Sequence, residues 1–461
     1  DSSSQSACGM QSNHMRRSDF GLTPEKRLQR KDGVYENGRL LYMDSHFIDK
    51  PLAERIAKLC GTPVYVYDQA TIERQADVLL SMPNAFGLSV GYAMKACSTR
   101  AILEVIRRKG ITIDASSTWE AERALRAGFK PGEISLSAQE LTEEGLRPLA
   151  RLGIKINACS LSQIELIAKL GFEGEFGLRW NPGIGSGGTK KTNVGGPASS
   201  FGIWHEKLPE VQALVSRLGL NVKRIHSHIG SGADVKVWEK AAELTLRIAA
   251  VFPSVTHFNL GGGFKVARVS GEKATDVHAA GASIRDSILR FHANTGRKLH
   301  LEIEPGTFLL ANSGAVLSRV ADIVDTGEAG HVFVKLDTGM TDILRPSLYG
   351  SQHPIVVLPD SETDAGQVNC VVVGHCCESG DLLTPAPGIN DELSERALST
   401  PQIGAFAVIY GAGAYCSAMS SKNYNSFPES PEVLIGTDRN IQLIRSRQTL
   451  DQMLQNEHPL V

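Results

Sequence analysis

Leu88-Ser89-Val90-Gly91-Tyr92-Ala93-Met94-Lys95-Ala96 is the stretch on which the fold turns. A mostly apolar, strand-like run from Leu88 to Ala93 ends on one lysine. Small residues follow, and a helical pattern begins near Ser98. A long amine at the C-terminal end of a buried strand is costly unless its charge has a task or a partner. Two readings stay open at this point. Lys95 is a desolvated amine suited to Schiff-base chemistry, or a rim lysine whose stem packs while its ammonium reaches water.

Working outward, similar strand-like segments occur at 88–96, 111–116, 134–138, 154–159, 175–181, 225–230, 256–260 and 300–304. Helical patterns lie between them. Ala101, Ile102, Val105 and Ile106 share one face, and Ser117–Glu120 and Ser162–Glu165 both match a capping box. Eight strands alternating with helices over ~220 residues is the count of an α/β protein built on a (β/α)8 barrel. An open doubly wound sheet is the competitor, but its usual glycine fingerprint after the first strand is absent.

After Pro305 the texture changes. Short strands are expected at 332–336, 355–358, 368–373, 405–410, 432–435 and 441–444, and the long helical patterns stop apart from Thr449–Leu454. This predicts a C-terminal antiparallel β-barrel or sandwich domain. The expected division is a flexible tail over 1–30, the barrel over 61–308, and the β domain over 31–60 and 309–461.

Composition narrows the partners. Among 461 residues the charged fraction is 21% and the net charge is -2, so neither nucleic acid nor an anionic membrane surface is an expected partner. No apolar run is long enough for a membrane span. The eight cysteines are scattered without a CxxC pair, which reads as reduced thiols of an intracellular protein. No metal site is expected.

In such a barrel the reactive groups stand at the C-terminal ends of the strands. Those positions hold Lys95, Asp114, Ser137, Asn157, Arg179 with Asn181, His228 with Ser231, Gly261-Gly262-Gly263, and Glu304. Three glycines after the seventh strand let backbone N–H groups close on a phosphate. His228 can stack on an aromatic ring, and a carboxylate such as Glu304 can hold a pyridine nitrogen protonated. Each has a plainer alternative: a tight turn, a satisfied core histidine, a salt bridge. Gly183–Gly196 has the composition of a mobile lid.

Taken together the motifs resemble a known family. Tyr92-Ala93-Met94-Lys95-Ala96, His228-Ile229-Gly230-Ser231-Gly232, Gly261–Gly263, Glu304-Pro305-Gly306, Asp337-Thr338-Gly339-Met340, Arg345–Gly350, Cys377–Asp381 and Gly413-Ala414-Tyr415 stand in the order of the fold-type III pyridoxal-phosphate decarboxylases. Within that group the chain is most similar to the meso-diaminopimelate decarboxylases, over about residues 35–445. The resemblance implies an alanine-racemase-like barrel, pyridoxal 5'-phosphate, and an amino-acid substrate that yields L-lysine and CO2. Lys95 would carry the cofactor. His228 would stack on its ring, and Glu304 would pair with the ring nitrogen. Ser231, the three glycines and Gly306 would hold its phosphate. Arg345 and Tyr349 would bind the substrate's distal carboxylate. Cys377 (as proton donor), Glu378 and Tyr415 would arrive from a partner subunit, so a homodimer with shared sites is expected. The setting would be cytoplasmic, or a plastid in a plant or alga.

Three positions depart from the family: Thr307 and Phe427 stand where arginine is usual, and Ser200 where lysine is usual. They bear on substrate recognition and leave the decarboxylase chemistry untouched. The rival within the fold is a D- or L-lysine or ornithine decarboxylase, whose amine-ended substrate Arg345 would repel. A non-catalytic binding paralogue is disfavoured because Lys95, Glu304 and Cys377 are all present.

Overall fold

The computed structural model describes residues 46–185, 195–228, 230, 232–359 and 366–460, and the backbone of 35–36 and 39–40. Contacts divide the chain into a unit over 1–44 and a larger one over 45–461. Within the first, Tyr35–Glu36 pairs antiparallel with Arg39–Leu40.

In the larger unit the eight expected strands form one ring. They are β1 (Leu88–Ala93), β2 (Thr112–Ala115), β3 (Ile134–Leu136), β4 (Lys155–Ala158), β5 (Phe176–Asn181), β6 (Val222–Ser227), β7 (His257–Asn259) and β8 (His300–Ile303). All pair in parallel, β6 pairs with β5, and β8 pairs with β1, so the barrel closes. The two-residue strand Ile203–Trp204 adds to β5. Boundaries match the sequence reading to within two residues, with two corrections: β1 was expected to run to 96 but ends at Ala93, where the turn Met94–Ala96 begins. β6 was expected at 225–230 but occupies 222–227. Val222 already pairs with Phe176, and the segment past His228 leaves the sheet, with Gly230 at φ 112°.

Helices cover the barrel because their starts are capped. Ser117 Oγ accepts from the Glu120 N–H at 3.1 Å, and Glu120 Oε2 accepts from the Ser116 N–H at 2.7 Å. For the helix Leu161–Lys169 the cap is Ser160 rather than Ser162. Ser160 Oγ accepts from the Gln163 N–H, and Gln163 Oε1 accepts from the Cys159 N–H, so the pair that matters sits two residues earlier than expected. At one level of the barrel interior Arg224 is fully buried and bonds Glu302 through two nitrogens and Glu175 through Nη2. Burial opposes ionisation of Glu302, but Arg224 overcomes it and holds the carboxyl at about 2.

The β domain is built on Gly314–Asp325, a strand the sequence reading did not anticipate. Its first half is buried, and Val316, Leu317, Val320 and Ile323 mimic a helical period, so no alternation is visible. It pairs antiparallel with Val64–Asp68, Val332–Leu336 and Phe406–Tyr410. Two neighbouring pairings are parallel: Val332–Leu336 with Gln367–Val373, and Glu432–Ile435 with Val64–Asp68. The domain is therefore mostly, not wholly, antiparallel. The helix Lys50–Cys60 is capped by Asp49 and buries Leu52, Ala53 and Ile56 against Val64, Leu317, Val408 and Val433. No helix among the described residues is long and apolar enough to cross a membrane.

Candidate active site

Lys95 lies two residues past the end of β1, in the short turn Met94–Ala96. Its backbone neighbours are buried while its side chain is exposed to a pocket of about 440 Å³ at the C-terminal mouth of the barrel. Asp114, Ser137, Arg179, His226, His228, Gly262, Gly263, Glu304, Gly306, Thr307 and Tyr415 share that lining. Strand ends converge here because all eight strands run in one direction.

Glu304 follows β8 and is 7% exposed. Asn259 Nδ2 donates to its Oε1 at 2.8 Å, and His226 Nε2 sits 2.7 Å from its Oε2. Burial pushes the Glu304 carboxyl up to about 7, against the Asn259 hydrogen bond and the Arg179 charge. Burial, then Arg179, pushes His226 well down, so its ring is neutral and its Nε2 shares a hydrogen bond with the Glu304 carboxyl. Asp114 is also buried and is pushed well up, by burial first and by Glu304 second.

The glycines fit because nothing larger would. A methyl on Gly262 would overlap the Glu304 carbonyl oxygen, and one on Gly261, at φ 67°, would meet His228 Cβ at 2.8 Å. At Gly306 it would meet the Tyr415 hydroxyl at 2.9 Å. The turns after β6 and β7 are tied together by the Gly232 N–H, which donates to the Gly263 carbonyl at 3.1 Å. Burial, then the Lys95 charge, pushes His228 well down, and its Nδ1 is buried without a partner. It offers a neutral flat face to the pocket.

A wider cleft of about 530 Å³ opens outward from Lys95, His228 and Tyr415, and Arg345 and Tyr349 line its wall. Both come from the short helix Arg345–Tyr349 of the β domain. Tyr415 needs a correction. The resemblance supplies it from a partner, yet it lines the pocket of its own chain, and its N–H donates to the Ala96 carbonyl at 2.8 Å. Its positive φ of 58° turns the chain at that point. Cys377 and Glu378 are exposed and line neither pocket. The Cys377 N–H donates to Asn425 Oδ1, and nearby Phe427 stacks on His375 at 3.6 Å. Ser231 and residues 186–194 of the expected lid lie outside the described residues. Asn181 joins the two ends of that loop: its Oδ1 accepts from the N–H groups of Gly183 and Gly196.

The sequence reading missed His226, Asn259 and Arg268. The first two stand two residues before His228 and Gly261, and period-2 alternation places them on the same face. Among the described residues no cluster of three metal-ligating side chains occurs.

An amine, a turn of glycines with no room for a Cβ, a neutral imidazole and an oriented carboxyl group are the kinds of side chain and backbone that pyridoxal phosphate calls for. A barrel with that donor set and a trailing β domain defines the class of pyridoxal-dependent decarboxylases. A family model described as "Pyridoxal-dependent decarboxylase, pyridoxal binding domain" matches residues 69–311. The chain is 37% identical to the diaminopimelate decarboxylase of Escherichia coli K12 over 405 residues, 86% of this chain and 93% of that one. It is 36% identical to that of Streptomyces coelicolor over 418 residues, 89% and 92% of the two chains. A crystal structure of diaminopimelate decarboxylase superposes with a TM-score of 0.82 at 35% identity, covering 89% of this chain and 98% of that one. The Helicobacter pylori enzyme complexed with L-lysine gives 0.77 at 27%, covering 87% and 98%. The chain belongs to the diaminopimelate decarboxylase family of carboxy-lyases.

Proposed function

We propose that the protein decarboxylates meso-2,6-diaminopimelate to L-lysine and CO2, the last step of lysine biosynthesis. The carrying observation is that Arg345 and Tyr349 share one cleft with Lys95, which supports a substrate with a second carboxylate for that cation and hydroxyl to bind. A diamino dicarboxylate needs both ends recognised, and an amine-ended substrate would meet Arg345 unfavourably.

Bound pyridoxal 5'-phosphate would supply the electron sink that makes loss of CO2 from an amino acid accessible. Lys95 is the amine that would hold it, Glu304 would pair with its ring nitrogen, and His228 would stack on its ring. Gly261–Gly263, Gly306 and Ser231 are assigned to its phosphate. Tyr415, against Gly306, closes the site beside Lys95. The thiol of Cys377 is assigned to return a proton to Cα, and Glu378 to meet the substrate's distal amine. Both are exposed on their own chain, which supports a homodimer in which each chain completes its partner's site. We keep the division into a barrel and a β domain near residue 309. Val64–Asp68 joins the β domain, to whose strands it is hydrogen-bonded. The bacterial relatives support a cytoplasmic setting.

Arg345→Ala tests the carrying observation. KM for diaminopimelate should rise about 10- to 100-fold, the scale of a lost charge-assisted hydrogen bond, with the cofactor absorbance unchanged. Equal loss of both would make Arg345 structural.

A further inference from the structure

The outer cleft has a second cation besides the half-buried Arg345, and this one is buried. Arg268 follows the glycine turn of β7, is 9% exposed, and lines the cleft with Arg345, Thr307 and Tyr415. Its Nε donates to the Gly411 carbonyl at 3.0 Å, and its own N–H is tied to Glu272 Oε2 at 2.7 Å. Its Nη2 is buried and has no hydrogen-bond partner. Arg345 is in a similar position: Nη2 reaches Ser351 Oγ at 3.3 Å, and Nε has no partner. Neither guanidinium forms an ion pair among the described residues. They also feel each other: burial first, then Arg345, brings Arg268 down to about 10, against the opposing Glu272 charge. The same two charges add to burial in pushing His353, behind the cleft, well down.

Two neighbouring cations, Arg268 buried and Arg345 half-buried, with Glu272 as the carboxylate that acts on Arg268, are an unfavourable pair in this cleft. An anion of the right size would relieve both. Thr307, in the inner lining, offers only a hydroxyl.

We propose that Arg268 is a substrate-specificity residue that binds the distal carboxylate of the substrate jointly with Arg345, supplying the cationic contact that Thr307 does not. This rests on the decarboxylase reading above. Planar guanidinium groups suit the role because each can present two donors to one carboxylate. The ligand class is an amino acid with a carboxylate at the end remote from the reacting carbon. L-lysine, the product, keeps that carboxylate, and 1,5-diaminopentane lacks it.

The test uses the pyridoxal-phosphate-loaded full chain. KM and kcat are measured on meso-diaminopimelate, and affinities for L-lysine and 1,5-diaminopentane are measured by calorimetry. Arg268→Gln should raise KM and weaken L-lysine about 10- to 100-fold, leaving diaminopentane affinity and the cofactor absorbance unchanged. Adding Thr307→Arg to that variant should recover part of the loss. Should Arg268→Gln not fold, Arg268→Lys retains the charge and should still weaken L-lysine about 3- to 10-fold, selectively. Equal weakening of both amines, or no change in either, overturns the assignment and leaves Arg268 as a clamp on the Gly411 turn. A wild-type enzyme that neither acts on diaminopimelate nor binds L-lysine overturns the decarboxylase reading along with it.

Discussion

His226 Nε2 lies 2.7 Å from Glu304 Oε2, and both groups are almost fully buried. With Asn259 on the other oxygen, the carboxyl group is held in one orientation before any ligand arrives. His226→Phe should lower affinity for pyridoxal phosphate about 10- to 100-fold, the value of one hydrogen bond to a charged group. Equilibrium dialysis of the apoprotein measures this directly. Wild-type affinity in the variant would show that Glu304 needs no positioning.

The same carboxyl gives the apoprotein a pH signature. Folded, Glu304 keeps its proton up to about 7, whereas its ordinary value is 4.5. Between those values the folded chain binds more protons than the unfolded one. The stability this group contributes is therefore present below 4.5 and is lost as pH rises towards 7. The melting temperature of the apoprotein, minus that of Glu304→Gln, should fall across this window. A difference that rises with pH contradicts the buried, protonated carboxyl, whose neighbours include Asp114, His226, Arg179 and Lys95.

Gly262→Ala places a methyl into the backbone of Glu304. The turn must shift, at a cost of about 1–3 kcal/mol, as overpacking usually does. Cofactor affinity should fall with it, because the same turn is assigned to the phosphate. Thermal unfolding and dialysis read the two effects, and a neutral substitution would mean the turn is slack.

Much of this arrangement was legible from strand ends. Lys95, His228, Gly261–Gly263 and Glu304 announce themselves because polar and glycine residues at the end of an apolar run have few structural reasons to be there. His226 and Asn259 sit inside the runs, where a polar residue looks like an interruption until closure of the barrel puts it beside Glu304. Arg268 was hidden for a different reason. It lies in an irregular segment, and only the packing of the β domain brings it next to Arg345. Gly314–Asp325 escaped notice because burial on both faces removes the alternation that marks a strand.

Cys377 and Glu378 are exposed on their own chain, and a shared site makes a prediction that activity of single variants cannot. Lys95→Ala and Cys377→Ala are each expected to be nearly inactive. Co-expressed, they should regain about a quarter of wild-type activity, since half the dimers then carry one intact site. Absence of recovery in verified mixed dimers would assign Cys377 to its own chain's chemistry or to none.

Release of CO2 from meso-diaminopimelate, D-lysine and L-ornithine, compared on the pyridoxal-phosphate-loaded enzyme, tests the proposed reaction most directly. With Arg268 and Arg345 in the cleft, kcat/KM should be highest for meso-diaminopimelate by at least about 100-fold, because the competitors place an ammonium or nothing where a carboxylate is expected. D-lysine or L-ornithine turning over faster than meso-diaminopimelate would contradict it.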